Sequence, residues 1–260
     1  MEFDLSDIKF SKYDAAKGLK LPNTNSPELA YLCGILTGDG SIFERKDKKD
    51  YVLKCVGNPK DEQELYYQVI GPYFNEVFGF VPNIRLQDTN TTFGFIVLSK
   101  GLLYFLTEKI KLHKGRKDKR LSIPKIFKEN KQLIIPFIRG LFDTDGCMCF
   151  KKRYKDRPYY PVISLSSSSE KLVREIAQEL KQIGFRVVEL YNYKIFDSRF
   201  KNGFNLISRV ELNGFYNLQL WISKINFYSP KHLNKIKKHY ENKTAAFATA
   251  DSGRKIWIRQ

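Results

Sequence analysis

The sequence predicts an α+β fold made by pseudo-twofold duplication. Two αββαββα repeats each form a four-stranded antiparallel, saddle-shaped sheet, and the repeats join at a two-helix interface. The first observation is that residues 32–40, LCGILTGDG, return as residues 138–146, IRGLFDTDG. In both, a glycine (Gly34, Gly140) stands five residues before an aspartate (Asp39, Asp145) that is itself followed by glycine. The second is that the aspartates are 145 − 39 = 106 residues apart and the same succession of helical and alternating apolar periods follows each. The division falls near residue 120, giving repeats at 1–120 and 121–260.

Residues 1–25 mix polar and apolar positions and read as an arm packed on the surface. Ser26-Pro27-Glu28 then supplies an N-cap, a proline at the first helical position and an acidic first turn. Ala30, Leu32, Cys33, Ile35 and Leu36 continue that helix, and Gly40 follows it as a C-terminal glycine would. Gly34 and Gly38 share one face, as do Gly140 and Thr144, and small residues at this spacing let two helix backbones approach closely. Such packing brings Asp39 and Asp145 together. A carboxylate at a helix C-terminus opposes the macrodipole by roughly 0.3–1 kcal/mol, and two adjacent carboxylates repel and raise one pKa. A divalent cation removes both penalties, because Mg²⁺ binds through one or two carboxylates plus phosphate oxygens. One Asp-Gly alone reads as a turn; two copies with matched glycines and apolar flanks point to a site.

Residues 41–46 and 51–57 alternate as a hairpin, and residues 60–79 have helical spacing. Residues 83–87 and 91–99 form a second hairpin around Asp88-Thr89-Asn90, and 101–110 a short apolar helix. Residues 111–119 (KLHKGRKDK) read as a solvated basic connector or a DNA-backbone contact. The second repeat has a helix at 128–144 that Pro136 must begin or kink. A hairpin at 147–153 and 160–166 and a helix at 169–184 follow. Strands at 185–193 and 205–212 are joined by a long polar connection over 192–201, and a helix spans 215–225. Residues 231–260 read as a basic tail with one helical piece near His232–Tyr240.

Lys and Arg total 45 against 28 Asp and Glu, a net charge of +17, which selects a polyanionic partner, most simply nucleic acid. Arg45, Lys54, Arg85, Lys151, Lys152, Arg153, Arg186 and Arg209 lie on or beside predicted strands, so the open sheet faces are expected to bind DNA, with strand side chains entering the major groove. No apolar run approaches ~20 residues, and the N-terminus has neither an apolar h-region nor an arginine before Arg45. The expectation is an intracellular protein, in an archaeal cytoplasm or in an organelle, neither membrane-bound nor secreted. Cys33, Cys55, Cys147 and Cys149 form no CxxC, so reduced thiols are expected rather than a zinc site.

The paired signature resembles that of the LAGLIDADG homing endonucleases in the form with both repeats on one chain, and the resemblance runs from about Ser26 to about Ile225. It implies a monomeric, site-specific double-strand DNA endonuclease that hydrolyses phosphodiester bonds at a long asymmetric target and leaves short 3′ overhangs. It implies Mg²⁺ as cofactor, roughly two or three divalent ions with Mn²⁺ as a substitute. The metal ligands carried over are Asp39 and Asp145, supported by the carbonyls of Gly38 and Thr144. Thr37 departs from the aspartate of the signature, which Asp143 keeps; this is a cap or packing position. The family's lysine after the last strand of a repeat falls on Lys100, and Asn213 takes its place in the second copy. The water-orienting polar residue after the second strand falls on Asn58 and Ser167, which read equally as helix caps before Lys60 and Ser169. The alternative is an RNA-splicing maturase on the same fold, with intron RNA as partner; retention of both aspartates favours the nuclease. An intein origin is not expected, since no splicing segments are seen beside the repeats.

Overall fold

Ser11 and Asp14 cap each other across the first short helix, α1 (Lys12–Ala16), and this ties the arm into the core. Asp14 is fully buried, and its carboxylate also accepts the Ser99 hydroxyl at 2.5 Å and the Gly101 N–H at 3.2 Å. The arm is thus part of the first repeat's interior and not only a surface covering. The computed structural model describes residues 2–45, 47, 50–117, 119–153, 158–198, 200 and 202–252, with side chains through residue 241.

The first repeat continues with α2 (Pro27–Gly38), β1 (Gly40–Arg45), β2 (Asp50–Gly57), α3 (Gln63–Leu65), a π-helical turn over Tyr66–Ile70, α4 (Gly71–Phe78), β3 (Arg85–Gln87), β4 (Thr92–Leu98) and α5 (Lys100–Tyr104), which runs into a second π-helical turn over Phe105–Lys109. The first π turn has a local cause: Pro72 cannot donate to the helical ladder, and the Gly71 N–H reaches back to Tyr66 instead. The second repeat holds α6 (Lys125–Lys128), α7 (Lys131–Thr144), β5 (Gly146–Lys151), β6 (Tyr160–Ser167), α8 (Glu170–Ile183), β7 (Val187–Phe196), β8 (Phe204–Asn213) and α9 (Gly214–Lys224). Two antiparallel four-stranded sheets result, ordered β1-β2-β4-β3 and β5-β6-β8-β7.

Three expectations need revision. Pro136 neither starts nor ends α7: the helix begins five residues earlier, where the Asn130 side chain accepts the Gln132 N–H. β7 extends to Phe196 through a bulge between Leu190 and Tyr193, so the first part of the supposed connection is strand. The tail is no appendage, because α10 (Pro230–Ser252) starts in the core with His232 only 1% exposed and stacks His239 on Phe150 at 3.8 Å. Among the described residues no helix is long and apolar enough to cross a membrane.

Everything is arranged around α2 and α7. From Leu29 to Gly38 every residue of α2 is buried, which is possible only because it is enclosed by α7 and both layers of its own repeat. A β-carbon on Gly34 would overlap the Phe137 carbonyl, and one on Gly140 would overlap the Tyr31 carbonyl. The reciprocity is the pseudo-twofold axis expressed in sterics. Alanine at Gly34 gains about 1 kcal/mol of intrinsic helix propensity, but overpacking against immovable backbone typically costs about 1–3 kcal/mol. Gly34→Ala is therefore expected to lower the denaturant midpoint. A raised midpoint would show that the helices can separate freely.

The sheets pack one face on helices and leave the other open. In β1 and β2 the pairing of Ile42 with Leu53 lies on the core side, which leaves Ser41, Phe43 and Arg45 opposite Lys54, Val52 and Asp50 on the other side, where Val52 is itself buried. In the second sheet Met148 and Ile163 face the core, leaving Cys147, Cys149 and Lys151 on the other side with Ser164, Val162 and Tyr160, and there Val162 is likewise buried.

Candidate active site

Asp39 and Asp145 occupy the same place at the ends of α2 and α7. Each is the C-cap, with φ, ψ of −89°, −9° and −82°, −11°. Each donates its N–H back into the helix, to Ile35 at 2.8 Å and to Leu141 at 3.0 Å. The glycine after each is required by close approach rather than by a left-handed turn, since neither has positive φ. A β-carbon at Gly40 or Gly146 would overlap the carbonyl of Leu36 or Phe142. The chain therefore turns from helix to strand directly at each aspartate.

The helix crossing brings the two ends together: a β-carbon on Gly38 would overlap the Thr144 hydroxyl and lie 3.3 Å from the Asp145 carboxyl carbon. Asp39 is largely buried and its Oδ2 has no hydrogen-bond partner. Burial first, then the nearby Glu62 and Asp145, push its carboxyl up to about 8, against the pull of Lys117 and Lys231. Asp145 opens to solvent yet is crowded by protein on its other sides; this desolvation raises its carboxyl, and Lys117 and Lys231 oppose the shift. Burial in turn lowers the ammonium pKa of Lys117, which Asp145 and Asp39 resist. Two helix-end carboxylates, one with an orphaned oxygen, are a donor set that a hard divalent cation would complete with phosphate and water oxygens.

Three residues at this centre were not expected. Glu62 is 4% exposed in the turn after β2, and its Oε2 accepts the Asn58 N–H at 2.7 Å. Lys231, at the start of α10, donates to Glu62 Oε1 and to the Thr144 carbonyl at 3.1 Å. Lys117 lies in the basic segment expected to be a solvated connector or a DNA-backbone contact. That segment is held to the first repeat by Gly115 N–H to the Ile42 carbonyl at 2.7 Å and by the Lys114–Glu44 ion pair at 2.6 Å. The two lysines follow the last helical residue of their repeats by 117 − 109 = 8 and 231 − 224 = 7 residues, a correspondence visible once the helix ends are known. Asp143 anchors the approach to Lys231: buried between the repeats, it accepts the Tyr31 hydroxyl at 2.8 Å and the Tyr228 and Ser229 N–H groups at 3.1 Å. Burial pushes its carboxyl up to about 6 despite these donors. Its counterpart Thr37 turns back on the Cys33 carbonyl of its own helix at 2.7 Å.

Lys100 and Asn213 are not at this centre. Asp39 is level with Val56, which donates its N–H to the Asp39 carbonyl at 3.5 Å, whereas Ser99, next to Lys100, bonds Tyr51. Five residues of β2 separate those levels, about 17 Å at ~3.3 Å per residue. The Lys100 ammonium instead lies over the rings of Tyr51 and Tyr104, 5.6 and 5.8 Å from their centroids. Asn213 pairs opposite Val162, three residues along β6 from the Leu165–Gly146 pair, and accepts from Arg153 at 3.4 Å. Asn58 follows β2 and Ser167 ends β6, and their side chains accept the Lys60 and Ser169 N–H groups at 2.8 and 3.1 Å in local two-residue turns, while the N-caps of the helices that follow are Glu62 and Ser169. The Thr144 carbonyl accepts the Lys231 ammonium at 3.1 Å with one of its two lone pairs.

Of the basic residues expected on the open faces, Arg45 pairs with Asp50 (2.9 Å) and Lys54 with Asp88 (2.6 Å). Lys151 and Arg209 converge on Glu211 at 3.9 and 3.4 Å. Arg85 is exposed on the edge strand β3, and Lys152 is exposed just beyond β5. Arg153 and Arg186 stack on Tyr160 and Tyr216 at 3.9 and 4.4 Å. The first sheet's open face also carries Phe43, Ile96 and Leu98, so it is less uniformly polar than the sequence suggested.

Residues 132–214 match the family model of the LAGLIDADG-like domain. An uncharacterized protein of Methanocaldococcus jannaschii is 26% identical over 196 residues, which is 72% of this chain and 65% of that protein. Glutamine–fructose-6-phosphate aminotransferase of the same organism is 27% identical over 128 residues, covering 49% of this chain and 11% of the enzyme. The chain thus spans less than two thirds of these relatives. Among solved structures, the homing endonuclease I-GzeII with its DNA target superposes with a TM-score of 0.51 at 11% identity, covering 90% of this chain and 94% of that one. A variant of I-DmoI with target DNA and magnesium gives 0.51 at 17% identity, covering 76% and 95%. Within the second repeat, residues 132–214 are similar to the LAGLIDADG-like domain, and the chain as a whole shares the two-repeat fold of the LAGLIDADG homing endonucleases.

Proposed function

We propose that this protein is a divalent-metal-dependent, site-specific double-strand DNA endonuclease that acts as a monomer. The observation that carries the reading is the meeting of two helix-end carboxylates, one with an unpartnered buried oxygen, between two lysines and at the junction of two open sheets. Asp39 and Asp145 would hold Mg²⁺, or Mn²⁺ in its place, and the ion would supply Lewis-acid activation of the phosphate and a more acidic water. Lys117 and Lys231 present ammonium groups to the charge that develops on the scissile phosphates. The open faces, with Arg45, Lys54, Arg85, Lys151, Lys152, Arg153 and Arg209 on or beside them, grip the duplex. Because the two faces differ in sequence, they suit an asymmetric target. By the family resemblance, the two carboxylates would act on the two strands across a narrow groove and leave short 3′ overhangs.

Incubation with a randomised duplex library and Mg²⁺, followed by sequencing of the cut ends, tests the reading directly. One enriched target with a constant short stagger is expected; uncut DNA under all divalent ions would refute it. The net charge of +17 also predicts binding through phosphates. Measured with Ca²⁺ to hold back cleavage, log K should fall against log salt with a slope of about −0.9 per phosphate neutralised. A flat salt dependence, or preference for single-stranded RNA over every duplex, would favour a maturase.

A further inference from the structure

We infer that Glu62 is a positioning residue that clamps Lys231 across the pseudo-twofold axis and so fixes the order in which the two DNA strands are cut. The inference rests on the nuclease reading, and the clamp itself is seen without it. Glu62 belongs to the first repeat and Lys231 to the second, and their side chains are 6% and 18% exposed. Both oxygens of Glu62 are committed, one to the Asn58 N–H at 2.7 Å and the other to Lys231. Lys231 spends a second N–H on the Thr144 carbonyl at 3.1 Å, one residue before Asp145. An ammonium has three donors, so one is left, and it is aimed by the other two. The approach is fixed as well, since Asp143 holds the Tyr228 and Ser229 N–H groups just before Lys231.

Among its described residues the first repeat shows no equivalent clamp. Among the described residues Lys117 has no hydrogen bond that would aim its ammonium. The place of Glu62, N-cap of the helix after β2, is taken in the second repeat by Ser169, whose hydroxyl is directed at the Leu121 carbonyl at 2.7 Å. Preorganised donors act at full strength because nothing must reorganise during reaction. The strand whose phosphate meets Lys231 is therefore cut first, and the strand served by Lys117 second. A nicked intermediate follows from the fold.

Strand-specific, end-labelled cleavage under single turnover tests the order, with Lys231→Met and Lys117→Met identifying which strand each lysine serves. At pH 9 and saturating Mg²⁺, Glu62→Gln should slow the strand that Lys231→Met slows, by about five- to thirtyfold as a charge-assisted bond becomes a neutral one, and should leave the other strand unchanged. Because Glu62 acts through Lys231, the double variant should be no slower than Lys231→Met alone. Equal slowing of both strands, or additive losses in the double variant, would overturn the inference. Glu62→Asp keeps the charge but shortens the reach, and should give the same strand-selective loss if the Gln variant does not fold. A second readout needs neither metal nor DNA: acylation of Lys231 by a water-soluble anhydride, followed by peptide mass spectrometry. Lys231 should be protected in the native protein and several-fold more reactive in Glu62→Gln. Unchanged reactivity would remove the clamp even if cleavage proceeds, whereas exposure of Lys231 with no duplex ever cut would leave the clamp standing and sink the nuclease reading.

Discussion

Asp145→Asn and Asp39→Asn should each abolish double-strand cleavage while leaving fold and site binding intact. Asparagine keeps the shape of the side chain, so the helix end and the close contact at Gly38 survive. What is lost is a charged ligand for a divalent ion and, with it, stabilisation developed in the transition state. Losing one preorganised donor in other enzymes costs about 2.7–4 kcal/mol, or 10²–10³ in rate, and loss of a metal ligand should be at least as severe. The stability readout separates this from damage. In the native protein Asp39 pays for its burial beside Glu62 and Asp145, which is why its carboxyl is pushed up to about 8. A group raised in the folded state favours folding when protonated, so its effect is to weaken the fold as pH rises from the unfolded value near 3.8 through about 8. Asp39→Asn removes that loss and should be more stable than the native protein at pH 9 without metal, by thermal or denaturant midpoint. Full double-strand cleavage by either variant, or a fall in stability at pH 9, would show that these carboxylates are not placed to hold an ion.

The duplicated signature was legible because it is local. Gly34, Asp39, Gly140 and Asp145 stand at fixed spacings on continuous helices, and the steric need for each small residue is met by the other copy. The lysines were not legible for a topological reason. Sequence places Lys100 directly after β4, but β4 is antiparallel to β2 and carries the chain away from Asp39. Only after α5 and its π-helical extension return does Lys117 arrive, in a run of basic residues where no single lysine stands out. Lys231 is hidden in the same way, in a stretch whose +charge suggested a tail. Glu62 is a surface residue by composition, and its burial depends on Lys231 from 169 positions away. The partial apolar character of the first open sheet follows likewise from register: Ile96 and Leu98 alternate with buried Phe95 and Val97, and the sequence alone does not say which face helices will cover.

Metal affinity and cleavage should both rise steeply with pH up to about 8 and then level. A divalent ion binds the ionised carboxylate, so the proton on Asp39 is its competitor. With the carboxyl pushed up to about 8 by burial and by Glu62 and Asp145, each unit of pH below that value leaves about tenfold less of the competent form. Between pH 8 and pH 6 the apparent affinity for Ca²⁺, read by calorimetry in the absence of DNA, should fall about fiftyfold. The single-turnover rate at limiting Mg²⁺ should fall with it. Saturating Mg²⁺ should restore much of the rate at pH 6, because the ion displaces the proton and the loss lies in binding. Removing Glu62 by Glu62→Gln takes away one of the charges that raise Asp39, so the same profile should shift toward lower pH in that variant. The two effects are distinguishable from any general acid titration by their dependence on metal concentration. A profile flat from pH 6 to pH 9, or one that no amount of Mg²⁺ moves, would mean that Asp39 is ionised in the free protein and that its crowded neighbours do not govern the binding of the ion.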